Sequence, residues 1–313
     1  MGNNIASLAE KIRANIGLVI VGAEDTVDKI LVSMLCNGHV LLEDIPGTGK
    51  TKLVRTLAKS IDCGTKRVQF TPDLLPSDLT GINFYNMKEQ EFIFRPGPLF
   101  TNIVLADEIN RATPRTQSSL LESMEERQVT VDNVTYKLEP PFFVFATQNP
   151  IETSGTFPLP EAQLDRFFMR LAMGYPTREN EAAILKRFTS ADPLNDIQPV
   201  ATREEVVQAI EDVKSVKISD DLYTYIVDIC AATRKNDAIR LGVSPRGTLA
   251  LLRATQAYAA VSGRDYAIPD DVKKMAPSVL GHRIILKGSS MSRSASPEAI
   301  LSGILDKVKA PTE

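Results

Sequence analysis

The 313-residue sequence predicts an α/β domain over residues 1–177 followed by a helical domain over residues 178–313. Three observations predict this. In the first part, short apolar runs alternate with helical periods. One of those runs leads through a Gly-rich turn straight into a helix. Beyond Gly174-Tyr-Pro-Thr177 no further strand run occurs, and the periods are helical to the end.

From Ile5 to Asn37 the pattern reads as two helices broken at Val21-Gly22-Ala23, with Glu24 and Asp25 in the first turn of the second, where carboxylates favour a helix start. His39–Glu43 is a short buried strand, and an amphipathic helix runs from about Gly49 to Ile61. Arg67–Phe70 is another strand, and Ile82–Phe94 reads as a hairpin about Met87-Lys-Glu-Gln90. The apolar run Asn102–Ala106 suits a strand buried on both faces. A helix over Thr113–Glu126 has Thr113 as its N-cap and Pro114 at its first position. Val129, Val131, Val134, Tyr136 and Leu138 alternate about Asp132-Asn133, a two-residue hairpin turn. Phe142–Ala146 and Phe167–Leu171 complete the strands. Helices are expected at Glu179–Phe188, Arg203–Val213, Asp220–Arg234, Pro245–Val261, Pro269–Leu280 and Pro297–Val308, with a polar, Pro-containing link over Ser190–Pro199.

Composition excludes several classes. A hydrophobic content of 43% and a charged content of 24% are ordinary for a globular chain. The formal charge of −3 gives no case for a dedicated nucleic-acid binder, which carries a basic surplus. No apolar run approaches the roughly 18 residues of a membrane span, and the N-terminus lacks the basic and apolar regions of a secretory signal. Met-Gly-Asn-Asn-Ile-Ala starts like a myristoylation signal, but Ala6 stands where Ser or Thr is needed. Cys36, Cys63 and Cys230 are isolated, which suits buried thiols in a reducing cytosol. His39 and His282 are too few and too far apart for a metal site. The expected location is the cytoplasm.

Chemistry concentrates in three segments. In Glu43-Asp-Ile-Pro-Gly-Thr-Gly-Lys-Thr51, a loop between strand and helix can wrap backbone N–H groups around phosphate oxygens. Lys50 would reach the β- and γ-phosphates and Thr51 would ligate Mg²⁺. Asp44 occupies the first Gly position of the usual pattern, so the loop alone is also compatible with a Gly-Pro turn bearing a solvated lysine. Ile103-Val-Leu-Ala-Asp-Glu108 then ends a buried strand in two carboxylates. Asp107 can hold Mg²⁺, mostly through water, and Glu108 can orient and deprotonate the attacking water. Phe145-Ala-Thr-Gln-Asn149 ends a further strand in an amide that could hold that water, although Asn before Pro150 is also an ordinary turn signal.

These segments resemble AAA+ ATPases, and within them the MoxR family. The particular likeness rests on Leu41–Thr51, Leu105–Gln117, Leu120–Val129, Phe145–Pro150, Leu159–Phe167 and Val243–Gly247, and it extends through most of the chain from Val21 to about Ile284. The resemblance implies an AAA+ P-loop domain with a central parallel five-stranded sheet plus a C-terminal all-helical lid domain. It makes Asp44, Ile45, Pro46, Gly47, Thr48, Gly49, Lys50 and Thr51 the loop that binds ATP, with Val21 and Gly22 against adenine. An aspartate at the position of Asp44 is usual in the family. Asn149 matches the sensor-one position, and Arg246 matches the sensor-two arginine of the lid, expected on the γ-phosphate of the same subunit. Arg166 matches the arginine finger that enters a neighbour's site, with Arg111 and Arg115 as further interface candidates. For both Arg166 and Arg246 the plain alternative is a surface salt bridge, worth little. The stretches over residues 72–98 and 127–139 resemble two family inserts that would face the pore or the client.

The resemblance implies an ATP hydrolase that needs ATP and Mg²⁺ and forms a ring, a hexamer by expectation. It would remodel or mature a protein client, often one with a von Willebrand factor A domain or a metal cofactor. Two alternatives within the fold are a motor on nucleic acid and a metal-chelatase subunit. Against the first, Arg127 and Lys137 are offset by Asp132 and Glu139 in the second insert. A scaffold that binds ATP without turnover is disfavoured by the intact Asp107-Glu108 pair.

Overall fold

The computed structural model describes residues 2–45, 47–149, 155–189, 192–288 and 296–311. Its centre is a parallel sheet. The chain enters through helices α1 (Gly2–Gly17) and α2 (Glu24–Leu35), then strand β1 (Val40–Glu43) and helix α3 (Lys50–Ser60). Strand β2 (Thr65–Gln69) leads to a one-turn helix α4 (Pro76–Thr80) and to the hairpin β3 (Gly81–Asn86) and β4 (Glu91–Pro96). After β5 (Ile103–Asp107) come α5 (Pro114–Glu126) and a second hairpin, β6 (Gln128–Val131) and β7 (Val134–Lys137). Strand β8 (Phe143–Gln148), the short α6 (Glu161–Leu164) and strand β9 (Met169–Leu171) finish the α/β part. The remainder is α7 (Arg178–Arg187), α8 (Arg203–Asp212), α9 (Asp220–Lys235), β10 (Ile239–Leu241), α10 (Pro245–Val261), α11 (Pro269–Leu280), β11 (Ile285–Leu286) and α12 (Pro297–Lys307).

The five-stranded sheet has the order β2-β5-β8-β1-β9, every pairing being parallel. Side chains alternate between its faces with period two. Val40 and Leu42, Ile103 and Leu105, and Phe143 and Phe145 join one core with α1, α2, α3 and the lid helices. Leu41, Val104, Ala106, Val144 and Ala146 join the other, under α5. Leu42 and Leu105 are at most 1% exposed, and truncating either to alanine would cost about 2–5 kcal/mol.

Local chemistry explains the helix starts. Ser244 accepts from Gly247 N at the head of α10 with Pro245 behind it, and Thr202, Ser219 and Ser296 cap α8, α9 and α12 the same way. Thr113 precedes Pro114 as expected but makes no side-chain cap; its hydroxyl lies 3.4 Å from that of Thr116. The turn Asp132-Asn133 has φ +48° and +69°, as a two-residue hairpin loop requires. One expectation fails. The helical part is not free of strand, because β10 and β11 pair antiparallel, Ile239 with Leu286 and Leu241 with Ile285. Among the described residues no helix is long and apolar enough to cross a membrane.

Two buried histidines sit in the frame. His39 accepts from Val144 N at Nδ1 (3.0 Å), so its Nε2 carries the proton donated to Met124 O (2.9 Å). Burial, helped by the positive charge of Arg127, pushes His39 down to about 3, and burial lowers His282 as well. An unfolded histidine titrates near ~6.5. Below that pH the unfolded chain takes up protons that the folded chain refuses, so the stability is present above ~6.5 and is lost as pH falls. Between pH ~6.5 and ~5, unfolding free energy should drop by up to ~1.4 kcal/mol per pH unit for each of the two histidines. Urea titrations across this range check it, and a flat profile would contradict it.

Candidate active site

Because every strand of the sheet is parallel, β1, β5 and β8 end on one edge, and the segments that follow them converge there. This is where ligands gather in open α/β sheets. Asp44 N donates to Gln148 O (3.3 Å), which sets the loop after β1 beside the start of the segment holding Asn149.

The loop itself is built on two left-handed glycines, Gly47 (φ +85°) and Gly49 (φ +92°). A Cβ on either would meet nothing within 4 Å, so glycine is needed here for backbone conformation and not for space. Lys50, at the head of α3, donates to Asp44 O (3.0 Å) and Ile45 O (2.7 Å). Its ammonium is turned into the concave side of its own loop. Burial lowers its pKa, against the opposing charges of Asp44, Asp107 and Glu108, so these groups share one electrostatic neighbourhood. Thr48 hydroxyl donates to Ile45 O (3.4 Å), and Thr51 follows Lys50, half-buried. Pro46 lies outside the described residues.

Asp44 has a different place from the one its position in the motif suggests. Its Oδ1 accepts from Ile45 N (2.8 Å), and its Oδ2 accepts from Met173 N and Gly174 N (3.0 Å each). The carboxylate therefore fastens the loop to the exit of β9, and its oxygens face protein backbone.

The acidic pair sits at the end of β5. Ile103, Leu105 and Asp107 share the face that carries α3. Glu108 then adopts φ +57°, ψ +50°, a left-handed conformation that costs a non-glycine residue roughly 1–2 kcal/mol. Thr147 of the neighbouring β8 supports it: Glu108 N donates to its hydroxyl (2.8 Å), and the hydroxyl donates to Asp107 Oδ1 (2.5 Å). Glu108 Oε2 accepts from Gln69 Nε2 (2.6 Å) and pairs with Arg111 Nε (3.0 Å). Asp107 Oδ2 accepts from Arg67 Nε (3.0 Å) and Nη2 (2.7 Å). Buried Gln117 then ties down the next turn by donating to Ile109 O, Ala112 O and Phe157 O. The Asp107 carboxylate and the Thr51 hydroxyl offer hard oxygen donors of the kind Mg²⁺ takes.

Beside the loop lies a pocket of about 450 Å³, lined by Val19–Ala23, Gly47–Gly49, Lys52, Met173, Gly174, Pro176 and, from α7, Ile184, Leu185 and Phe188. Val21 and Gly22 are thus part of its wall. Gly22 has φ +73°, and a Cβ there would fall 2.1 Å from Asn180 Nδ2, so this wall admits only glycine without repacking. The lining side chains are apolar apart from Thr48 and Lys52, and Lys52 lies over the Phe188 ring (3.7 Å) and pairs with Asp192 (3.1 Å).

Arg166 and Arg246 are brought together, but not here. Arg166 Nε and Arg246 Nη1 both pair with Glu125, at 3.2 and 3.0 Å. Glu125 lies in the last turn of α5, and the pocket around it is lined by Arg127, Asp165, Arg253 and Cys36–His39, the last being the chain entering β1. This is the opposite edge of the sheet, a strand's length of roughly 13 Å or more from the phosphate loop. The structure places Arg246 on Glu125 beside the chain entering β1, away from the loop of its own chain whose γ-phosphate it is expected to reach, and α10 packs on α1 and α2.

The two inserts form one unit. Phe94 stacks on Tyr136 (4.2 Å), Phe100 meets both rings edge-on, and Asn83 donates to Asp132 (2.9 Å). Tyr85, Met87 and Phe92 at the far end of β3 and β4 are exposed. Arg127 turns inward, donating to Asn37 O and Phe142 O, and so adds no surface charge to the second hairpin.

A parallel sheet of this order, a glycine loop from β1 into α3, paired acids at the end of β5 with β8 between the two strands, and a helical lid define an AAA+ ATPase. Residues 39–169 match the ATPase family associated with various cellular activities (AAA), and residues 231–304 match the AAA lid domain. The chain belongs to the MoxR family: it is 40% identical to Chaperone MoxR1 of Mycobacterium tuberculosis (94% of this chain, 80% of that one) and 32% identical to Protein MoxR of Paracoccus denitrificans (98% and 97%). It is also 50% identical to the uncharacterized protein YeaC of Bacillus subtilis, over 96% of this chain and 93% of that one. The crystal structure of a protein from Cytophaga hutchinsonii, described as a candidate ATPase, superposes with a TM-score of 0.92 at 38% identity, covering 98% of this chain and 96% of that one.

Arg67, Gln69, Thr147 and Gln117 escaped the reading of the sequence. The signal that could have found Gln69 and Arg67 was their period-two placement on the strand before the acidic one. For Asp44, replacement by alanine takes the acceptor from three part-buried N–H groups, each bond to a charged acceptor being worth about 1–3 kcal/mol. Asp44→Ala should lower unfolding free energy by about 2–4 kcal/mol in denaturant titrations, and a loss under ~0.5 kcal/mol would contradict the anchoring role.

Proposed function

We propose that this chain hydrolyses ATP with Mg²⁺ in a ring of its own copies, a hexamer, to remodel or mature a protein client in the cytoplasm. The single observation that carries the reading is that Lys50, at the head of α3, and Asp107 and Glu108, at the end of β5, stand at one sheet edge close enough for both carboxylates to act on the Lys50 ammonium. In this reading the loop N–H groups from Gly47 to Thr51 cradle the phosphates, and Lys50 turns from its two loop carbonyls to the β- and γ-phosphates. Bound Mg²⁺, held by Thr51 and Asp107, supplies charge neutralisation of the phosphates. Glu108 leaves Gln69 to take a proton from the attacking water, and Asn149 orients that water. Val21, Gly22 and the apolar pocket wall receive adenine.

Arg166 and Arg246 serve a neighbour's phosphates, not those of their own chain. Their shared place on Glu125, at the edge away from their own loop, supports this reading for both. The welded hairpins, with Tyr85, Met87 and Phe92 exposed, are the surface offered to the client, which the family relation suggests carries a von Willebrand factor A domain or a metal cofactor. The division into two domains falls near residue 177, before α7. A cytoplasmic setting is supported by three unpaired thiols, of which burial pushes Cys63 up to about 11 and Cys36 higher.

Two experiments test this. Glu108→Gln should bind ATP with near-normal affinity and hydrolyse it roughly 10²–10⁴-fold more slowly; undiminished turnover would overturn the assignment. Arg166→Ala should fall by ~10³-fold or more, and mixing it with Glu108→Gln subunits should restore part of the activity. Failure of such mixed rings to recover would exclude action across the interface.

A further inference from the structure

Asp107 is the better buried member of the acidic pair, and both of its oxygens are taken. Oδ1 accepts the Thr147 hydroxyl, and Oδ2 accepts two N–H groups of Arg67. Lys50, the other cation of the site, donates to the carbonyls of Asp44 and Ile45. Among the described residues the charge lying directly on Asp107 is therefore that of Arg67. This arginine comes from β2, the edge strand of the sheet, and the other side of its side chain is open: it is 53% exposed against 16% for Asp107. A guanidinium anchored on an edge strand and half in solvent can leave its carboxylate without disturbing the core. Its Nη2 also donates to Gln69 Oε1 (2.8 Å), while Gln69 Nε2 holds Glu108 (2.6 Å). One cation thus sits on the first acid and, through one amide, on the group that restrains the second.

We propose that Arg67 is a resident counter-ion of the metal-binding carboxylate, competing with the divalent cation for Asp107 Oδ2. Before nucleotide arrives, Arg67 supplies the positive charge that a largely buried carboxylate requires. Once Mg·nucleotide is bound, the same oxygen faces the metal or its water, and Arg67 swings to solvent, releasing its hold on Gln69. Arg67 therefore weakens Mg²⁺ binding and makes occupation of Asp107 the event that loosens the Gln69–Glu108 bond. This inference rests on Asp107 being the Mg²⁺ residue, as proposed above.

The experiment is a Mg²⁺ titration of fluorescent ADP binding to the full-length protein, with affinity in EDTA measured alongside. For Arg67→Ala, the free Mg²⁺ that gives half of the metal-dependent gain in affinity should fall roughly threefold to tenfold, with affinity in EDTA unchanged. Arg67→Gln, which keeps the aliphatic stem and a polar end on the edge strand, should behave the same way, and Arg67→Lys should stay near wild type. Two results would overturn the proposal: an unchanged or raised Mg²⁺ requirement in both neutral variants, or a loss of affinity in EDTA, which would make Arg67 a phosphate ligand instead. Asp107→Asn separates the two readings. If it abolishes the metal-dependent gain while the Arg67 variants shift nothing, only the counter-ion role falls. If it leaves the gain intact, Asp107 is not the Mg²⁺ residue and both readings fall.

Discussion

Everything at the site depends on five strands running in the same direction. In a parallel sheet the chain must return across a face after each strand, so all the strand exits lie on one edge and all the entrances on the other. Exits are where Asp44, Asp107 and Asn149 are found; entrances are where His39, Phe142 and Phe168 are found. Helix α5 runs back from the first edge to the second and delivers Glu125, with its two arginines, to the side remote from the phosphate loop. The molecule is therefore polar: one edge carries the glycine loop and the acidic pair proposed to receive phosphates, and the other carries two cations, Arg166 and Arg246, on Glu125.

A second constraint is electrostatic. Carboxylates at the end of a buried strand need compensating charge or donors, and in this chain each is met from a neighbouring strand: Arg67 and Gln69 from β2, Thr147 from β8. These partners are polar or half-exposed, so their contributions are modest and reversible. Asp165 and Arg283 form a contrasting pair. Arg283 is almost wholly buried, bonds Asp165 at 2.6 Å and also donates to backbone carbonyls of Phe167 and Phe168, which makes it a fixed joint between the lid and β9.

Much of this was legible in the residues. Apolar runs bounded by turn residues mark β1, β5, β8 and β9, Arg67–Phe70 marks only the end of β2, and Ser-Pro and Thr-Pro pairs mark helix starts because their chemistry is local. The lysine, glycines and acidic pair were readable because strand-loop-helix order places them without knowledge of neighbours. What could not be read depends on which strands are adjacent. Arg67 and Gln69 matter only because β2 lies beside β5, and Thr147 because β8 lies on the other side. The place of Arg246 at a helix start is local information, but its expected reach to its own chain's phosphates rests on the family resemblance alone, and the docking of α10 on α1 and α2 is not legible in the residues. Strands β10 and β11 are three and two residues long, too short for a period to emerge from the helical pattern around them.

The carboxylate of Asp44 binds the phosphate loop to the Met173-Gly174 segment, and that segment walls the apolar pocket. In the proposed reading, the two ends of one ligand, polyanion and base, would be gripped by parts of the chain that are already fastened to each other. Ordering the wall relative to the loop is accomplished when the protein folds, and binding does not have to repeat it. Preorganisation of this kind favours a ligand that reaches both ends at once over fragments that reach only one. Adenosine or pyrophosphate alone gains little from the linkage, and the intact nucleotide gains from both.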